Sequence, residues 1–134
     1  MKEQVVNICQ ASTMTSSEIA TELVAGCREA RERENLDRLY APDAVSVEAA
    51  DDGNGRVVRG PDAIRAKHAW WDASTEVTGG SISEPMLHGQ DRFAVIFEMQ
   101  GRDRTSGTTF DLREIGVYHV DGGRIAREEF FYGS

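Results

Sequence analysis

The sequence is short of most features that mark a specialised protein. Its 134 residues hold two cysteines, Cys9 and Cys27, with neither metal-ligand nor redox spacing, so both are expected to be inert thiols. The three histidines show no HxxxH pair, and His88 and His119 fall near a turn and on an outer strand face, so no metal is expected. The run Asp51-Asp52-Gly53-Asn54 lacks the glutamate at the twelfth position of a calcium loop. Nucleotide-binding glycine loops and a nucleophile elbow are missing too, and no cofactor is expected. No apolar run approaches the roughly 18 residues of a membrane span. The stretch MKEQVVNICQASTMTSSE lacks the apolar core of a signal peptide, which makes the cytoplasm the default expectation. Positive charge is scarce as well. Fifteen basic residues against twenty-three acidic ones give a net charge of −8, which argues against nucleic acid and anionic membranes as partners.

What is present suits one globular domain with a single core: 40% apolar and 28% charged residues, with no repeat or linker. Residues 1–14 lack periodicity and read as a loose or weakly helical lead-in to a domain over 15–134. Thr15 and Glu18 have capping-box spacing, and Ile19, Leu23, Cys27 and Ala30 recur on one face of a helix expected to run to about Glu32. Asn35 is placed to cap a short second helix carrying Leu36, Leu39 and Tyr40, which Pro42 and Asp43 break. A strand at Ala44–Ala49, a turn at 51–55 and a strand at Arg56–Arg59 follow. Gly60-Pro61-Asp62 opens a third helix with Ile64, His68 and Trp71 on one stripe and Lys67 beside it; Gly79-Gly80 is expected to close that segment. Beyond residue 80 the pattern alternates, giving strands near 81–88, 92–102, 108–120 and 124–132. Helices first and an antiparallel meander after them predict an α+β domain with helices on one sheet face.

The register of the last hairpin decides what that face carries. With Gly122-Gly123 as a two-residue turn, Val120 opposes Ile125, Tyr118 opposes Arg127, Gly116 opposes Glu129 and Glu114 opposes Phe131. Phe93, Val95, Phe97, Met99, Phe110 and Leu112 join them on an apolar inner face, among which Glu114 and Glu129 stand out. A carboxylate in such a setting pairs, reaches water or holds a proton. Arg127 on the same face could pair with either, so a purely structural ion pair and a ligand-handling cavity are both open. The other face carries Ile96, Ile115, Val117, Phe130 and Tyr132 among Glu98, Arg113 and Glu128, sticky enough to suggest sheet-to-sheet homodimerisation.

The strings LDRLYAPDAVSVE, GPDAIRAKHAWW, FAVIFEM and LREIGVYHVDGGRIAREEFFY, in that order over most of residues 18–132, resemble the SnoaL-like branch of the nuclear transport factor 2-like superfamily. The resemblance implies a cone-shaped α+β barrel, a curved antiparallel sheet wrapped around three N-terminal helices and a pocket, usually dimeric. Ketosteroid isomerase, in the same superfamily, has a similar string leading to its catalytic aspartate. Matched to Tyr40-Ala41-Pro42-Asp43-Ala44-Val45-Ser46-Val47-Glu48, that string puts Glu48 at the general-base position. The isomerase also has a catalytic tyrosine on its first helix, and residues 16–33 here contain none.

Two functions remain open, because this fold hosts isomerases, dehydratases, cyclases and epoxide hydrolases as well as non-enzymatic modules. One is a cofactor-independent acid–base enzyme acting on a small apolar organic molecule. Glu48, His68, Glu114 and Glu129 would be its catalytic groups, with Tyr40, Trp71, Phe97, Tyr118, Arg127 and Phe131 lining its substrate site. The other is a dimeric module that binds a small molecule without acting on it.

Overall fold

The computed structural model describes residues 13–51 and 53–133. Cys9, Asp52 and nearly all of the expected lead-in lie outside the described residues.

Helix α1 (Ser16–Arg28) starts where the capping box places it. Thr15 Oγ1 accepts the Glu18 backbone N–H at 3.1 Å, and Glu18 Oε1 accepts the Thr15 N–H at 3.0 Å. The helix stops short of Glu32, and Ala30, expected on its apolar face, lies beyond the end with φ at 58°. Helix α2 (Glu32–Leu39) begins at Arg31 rather than at Asn35. Asn35 is buried inside it and donates from Nδ2 to the Leu23 carbonyl at 3.1 Å. Gly26 makes that approach possible, since a Cβ there would fall 2.3 Å from Asn35 Oδ1. Helix α3 (Pro61–Ser74) opens on Gly60 and Pro61 as expected.

Among the described residues, seven strands form one curved sheet: β1 (Tyr40–Val47), β2 (Val57–Arg59), β3 (Thr75–Ile82), β4 (Met86–His88), β5 (Arg92–Asp103), β6 (Thr109–Asp121) and β7 (Arg124–Phe131). They run in the order β2-β1-β7-β6-β5-β3, with β4 also on β5. All pairs are antiparallel except β1 with β7, which run parallel, so the sheet is mixed rather than an antiparallel meander. Gly79-Gly80 does not terminate a segment. It lies within β3, where Gly80 lets the chain pass so close to β5 that a Cβ would sit 2.1 Å from the Glu98 carbonyl oxygen.

The helices cover one face of this sheet, which gives a cone-shaped α+β fold. Ile19, Leu23, Leu36, Leu39 and Ile64 pack with Phe93, Val95, Tyr118 and Ile125 at its filled end. Along β5 the same face continues from Phe93 and Val95 to Phe97 and Met99, and there the packing opens into a cavity.

The hairpin register contains the main correction. Asp121 pairs with Arg124 and Val120 with Ile125, as expected, but His119 then pairs with Arg127 and Tyr118 with Glu128. Ala126 is the extra residue, a β-bulge. A one-residue slip exchanges the faces of everything beyond it. Glu129, Arg127 and Phe131 therefore belong to the outer face, where Arg127 Nη2 and Glu129 Oε1 pair at 2.9 Å. Glu128, Phe130 and Tyr132 take the inner face instead.

Candidate functional site

The open end of the cone is a cavity of about 1100 Å³ bounded by α3, the C-terminal half of α1, α2 and the inner sheet face. Leu23, Trp71, Ile82, Phe97, Met99, Leu112, Tyr118 and Phe130 give it apolar walls. Trp71 packs edge-on to Phe110 at 5.9 Å between centroids, while Phe130 sits edge-on to both Phe97 and Tyr118. Gly116 leaves room for those three rings, each within 3.2 Å of where a Cβ would stand.

Against these walls runs one chain of polar groups. Its anchor is Glu128, 1% exposed, which takes hydrogen bonds from the Tyr40 hydroxyl and, at 2.6 Å, from Ser46 Oγ. The parallel pairing of β1 with β7 explains the second contact, because it sets Ser46 directly opposite Glu128. Lys67, one helical turn beyond the core residue Ile64, donates from Nζ to Ser46 Oγ at 2.5 Å and to Glu48 Oε1 at 2.8 Å. The Tyr132 hydroxyl lies 3.3 Å from the other Glu48 oxygen and donates to it. The ring of Phe130 lies 5.2 Å from Lys67 Nζ, within range of a cation–π attraction. Glu48 thus follows Ser46 by two residues on the same side of the chain, and both reach the same ammonium.

Glu114 faces the cavity from β6, across from Phe97, and takes no part in this network. Burial pushes its carboxyl from an ordinary 4.5 up to about 7; the Glu48 and Glu128 charges add to the rise and the Lys67 charge opposes it. Glu48, Glu114 and Glu128 share the wall around Lys67, and of these three Glu114 is the one left without a hydrogen-bonded partner among the described residues; Glu32, Glu34, Asp72, Glu98 and the arginines Arg28, Arg31, Arg33 and Arg65 also border the cavity. The same burial, reinforced by Glu128, raises the hydroxyls of Tyr40 and Tyr118 well above the usual range, so both stay neutral donors. Burial, with Glu32 and Glu128 behind it, pushes the Cys27 thiol up to about 12.

Of the residues singled out in the sequence, the structure brings Glu48, His68, Glu114, Tyr40, Trp71, Phe97 and Tyr118 to the cavity. Glu129, Arg127 and Phe131 it leaves outside. Ser46, Lys67, Glu128 and Tyr132 were missed as site residues. For Glu128 and Tyr132 the reason is specific. In the run Arg127-Glu128-Glu129-Phe130-Phe131-Tyr132 both alternating frames hold an acid followed by an aromatic, so alternation cannot choose between them.

Among curated proteins, no match to the chain is found. Among solved structures, a SnoaL-like protein of Mesorhizobium loti, provisionally described as a polyketide cyclase, superposes with a TM-score of 0.82 at 33% identity, over 89% of this chain and 100% of its own. An NTF2-like protein of Burkholderia thailandensis gives 0.77 at 21% identity, over 89% and 91% of the two chains. TerC, co-crystallised with polyporic acid, gives 0.69 at 21%, over 87% and 89%; these last two likenesses bear on the fold alone. Residues 14–132 match the SnoaL-like domain, covering every element from α1 to β7. The chain belongs to the SnoaL-like family.

Proposed function

We propose that this protein is a cofactor-independent acid–base enzyme that moves a proton at the carbon beside a carbonyl in a small, largely apolar organic molecule. One observation carries the reading: Glu114, a buried carboxyl with no hydrogen-bonded partner among the described residues, faces the cavity between apolar walls with its proton affinity raised toward neutrality. A group that titrates near the working pH is the best compromise between giving and accepting a proton. Isomerisation, dehydration and ring closure can all begin with this step. Glu48, hydrogen-bonded by Lys67 and Tyr132, is the fixed charge that tunes Glu114. His68 and Trp71 border the cavity, Trp71 as a wall. The provisional polyketide cyclase assignment of the Mesorhizobium relative accords with a cyclic, oxygen-bearing ligand.

The test is hydrogen exchange. Small cyclic ketones incubated with the protein in D2O should lose their α-proton NMR signals faster than in buffer, with a rate that climbs as pH rises through about 7, where Glu114 ionises. In Glu48→Gln that midpoint should move down, because the Glu48 charge helps to hold it up. Ketones that bind without accelerated exchange would instead identify a non-catalytic binding module.

The working unit in this proposal is a homodimer formed through the outer sheet face. Ile96, Ile115 and Phe131 lie side by side across β5, β6 and β7 there, with Val117 beside them. Ile115 is 41% and Phe131 48% exposed in the single chain. Replacing Ile115 and Val117 with lysine should halve the mass measured by light scattering, since the new charges would be buried without partners. A monomeric mass for the unmodified protein at micromolar concentration would remove the dimer.

A further inference from the structure

We infer that Lys67 receives the ligand's carbonyl oxygen and carries the negative charge that grows on it, so that the cavity selects weak oxygen acids, enolisable ketones and phenols, over ligands already ionised in water. The inference rests on the acid–base reading and supplies what that reading lacks. Removing a proton beside a carbonyl leaves the electron pair of the C–H bond to form a C=C bond while the carbonyl pair moves onto oxygen. Without a donor at that oxygen the step has little driving force.

An ammonium has three N–H donors. Lys67 gives one to Ser46 and one to Glu48, and among the described residues no acceptor takes the third. At 5.2 Å the Phe130 ring stabilises the charge but is too far to accept a hydrogen bond. The two bonds that are made fix the head group. Ser46 spends its own proton on Glu128, so it can offer Lys67 only a lone pair, and Glu128 is closed on its other oxygen by Tyr40. The side chain of Lys67 is 16% exposed and borders the cavity, a setting in which a charge-assisted hydrogen bond to a developing oxyanion is stronger than in water. The proton balance closes within the site: Glu114 as carboxylate takes the proton from carbon, Lys67 shares a proton with the oxygen, and the return step restores both. A ligand that arrives as a carboxylate brings its full charge to the wall that holds Glu48, Glu114 and Glu128 beside Lys67, and of the arginines that also border the cavity Arg28, Arg31 and Arg65 are already paired with Glu84, Glu34 and Asp62. A ketone or a phenol arrives neutral.

Nitrophenols test this without any turnover, because only the phenolate form is coloured. With the buffer about one unit below the phenol's own pKa and above about 7, where Glu114 is a carboxylate and can take the phenol's proton, wild type should bind the dye and develop the phenolate band. 4-Nitrobenzoate, of similar size, should bind at least tenfold more weakly. The doubly neutral variant Lys67→Met with Glu48→Gln keeps the charge balance of the cavity, and it should lose the band and at least tenfold in dye affinity. Lys67→Arg, which keeps a donor cation, should retain part of both. An equal band in the double variant, tighter binding of the benzoate, or no dye binding by wild type would overturn the assignment. The outcomes separate from those of the exchange assay: a phenolate band without ketone exchange removes the acid–base reading alone, and exchange that survives in Lys67→Met removes Lys67 alone.

Discussion

Glu128→Leu should destabilise the protein by about 3–5 kcal/mol, while Glu129→Leu, one residue further along the same strand, should cost less than about 1 kcal/mol. Leucine fills a comparable volume at position 128 but accepts no hydrogen bond. The hydroxyls of Tyr40 and Ser46 would be left buried without an acceptor, and Lys67 would lose the partner that fixes Ser46. Each stranded donor costs about 1–3 kcal/mol. Glu128→Gln should fall between, since one amide oxygen must serve two donors. At position 129 the side chain pairs with Arg127 on the outer face, where an ion pair is worth little. Equilibrium urea unfolding of the three variants decides the matter. The reverse order would mean that β7 lies in the other frame, and equal costs would mean that Glu128 does not anchor the buried network.

Glu114→Gln should have no measurable effect on stability at pH 4 and should stabilise the protein by about 3 kcal/mol at pH 8 or above. The sign follows from linkage. Folding raises the Glu114 carboxyl from 4.5 to about 7, so between those values the folded state holds a proton that the unfolded chain has released. Stability is therefore fully present below about 4.5 and is lost as pH rises through about 7. Glutamine keeps the shape of the protonated acid and has no charge to bury, so the variant escapes the loss. Urea titrations of both proteins across pH 4–9 should give curves that meet at the acid end and part through neutrality. The same variant should lose a factor of 10² or more in ketone exchange. A gain in stability together with a loss of activity is a combination that a structural acid would not give. Parallel curves would show that Glu114 carries an ordinary proton and would leave the proposed chemistry without its central group.

The starts of α1 and α3 and the β5–β6 face were legible because local rules decide them. Thr15 with Glu18, and Gly60 with Pro61, are short-range signals that nothing distant overrides. The alternation of Phe93, Val95, Phe97 and Met99 against Tyr118, Gly116, Glu114 and Leu112 runs unbroken across a regular ladder, which placed Glu114 correctly. What escaped depends on contacts far apart in sequence. Asn35 has the composition of a cap, but tertiary packing against Gly26 and the Leu23 carbonyl puts it inside a helix. Arg127 does pair with Glu129, but on the outer face; the cation on the cavity wall is Lys67, paired with Glu48 and brought in by a different element, and the Ser46–Glu128 contact exists only because β1 runs parallel to β7. Neither the bulge at Ala126 nor that parallel pair leaves a mark on local periodicity.

That bulge gives the last strand two reading frames. From Gly122 to Ile125 the chain is read by the hairpin turn, and from Arg127 onward by the cavity, with Ala126 as the untranslated letter between them. Removing Ala126 would not change which residues face inward, because His119 already pairs with Arg127 and Tyr118 with Glu128 across the gap. A residue added between Arg127 and Glu128, with the His119–Arg127 pair kept, would instead exchange Glu128, Phe130 and Tyr132 for their outward neighbours in a single step. Along this strand the tolerated loss and the ruinous insertion of a single residue therefore lie side by side.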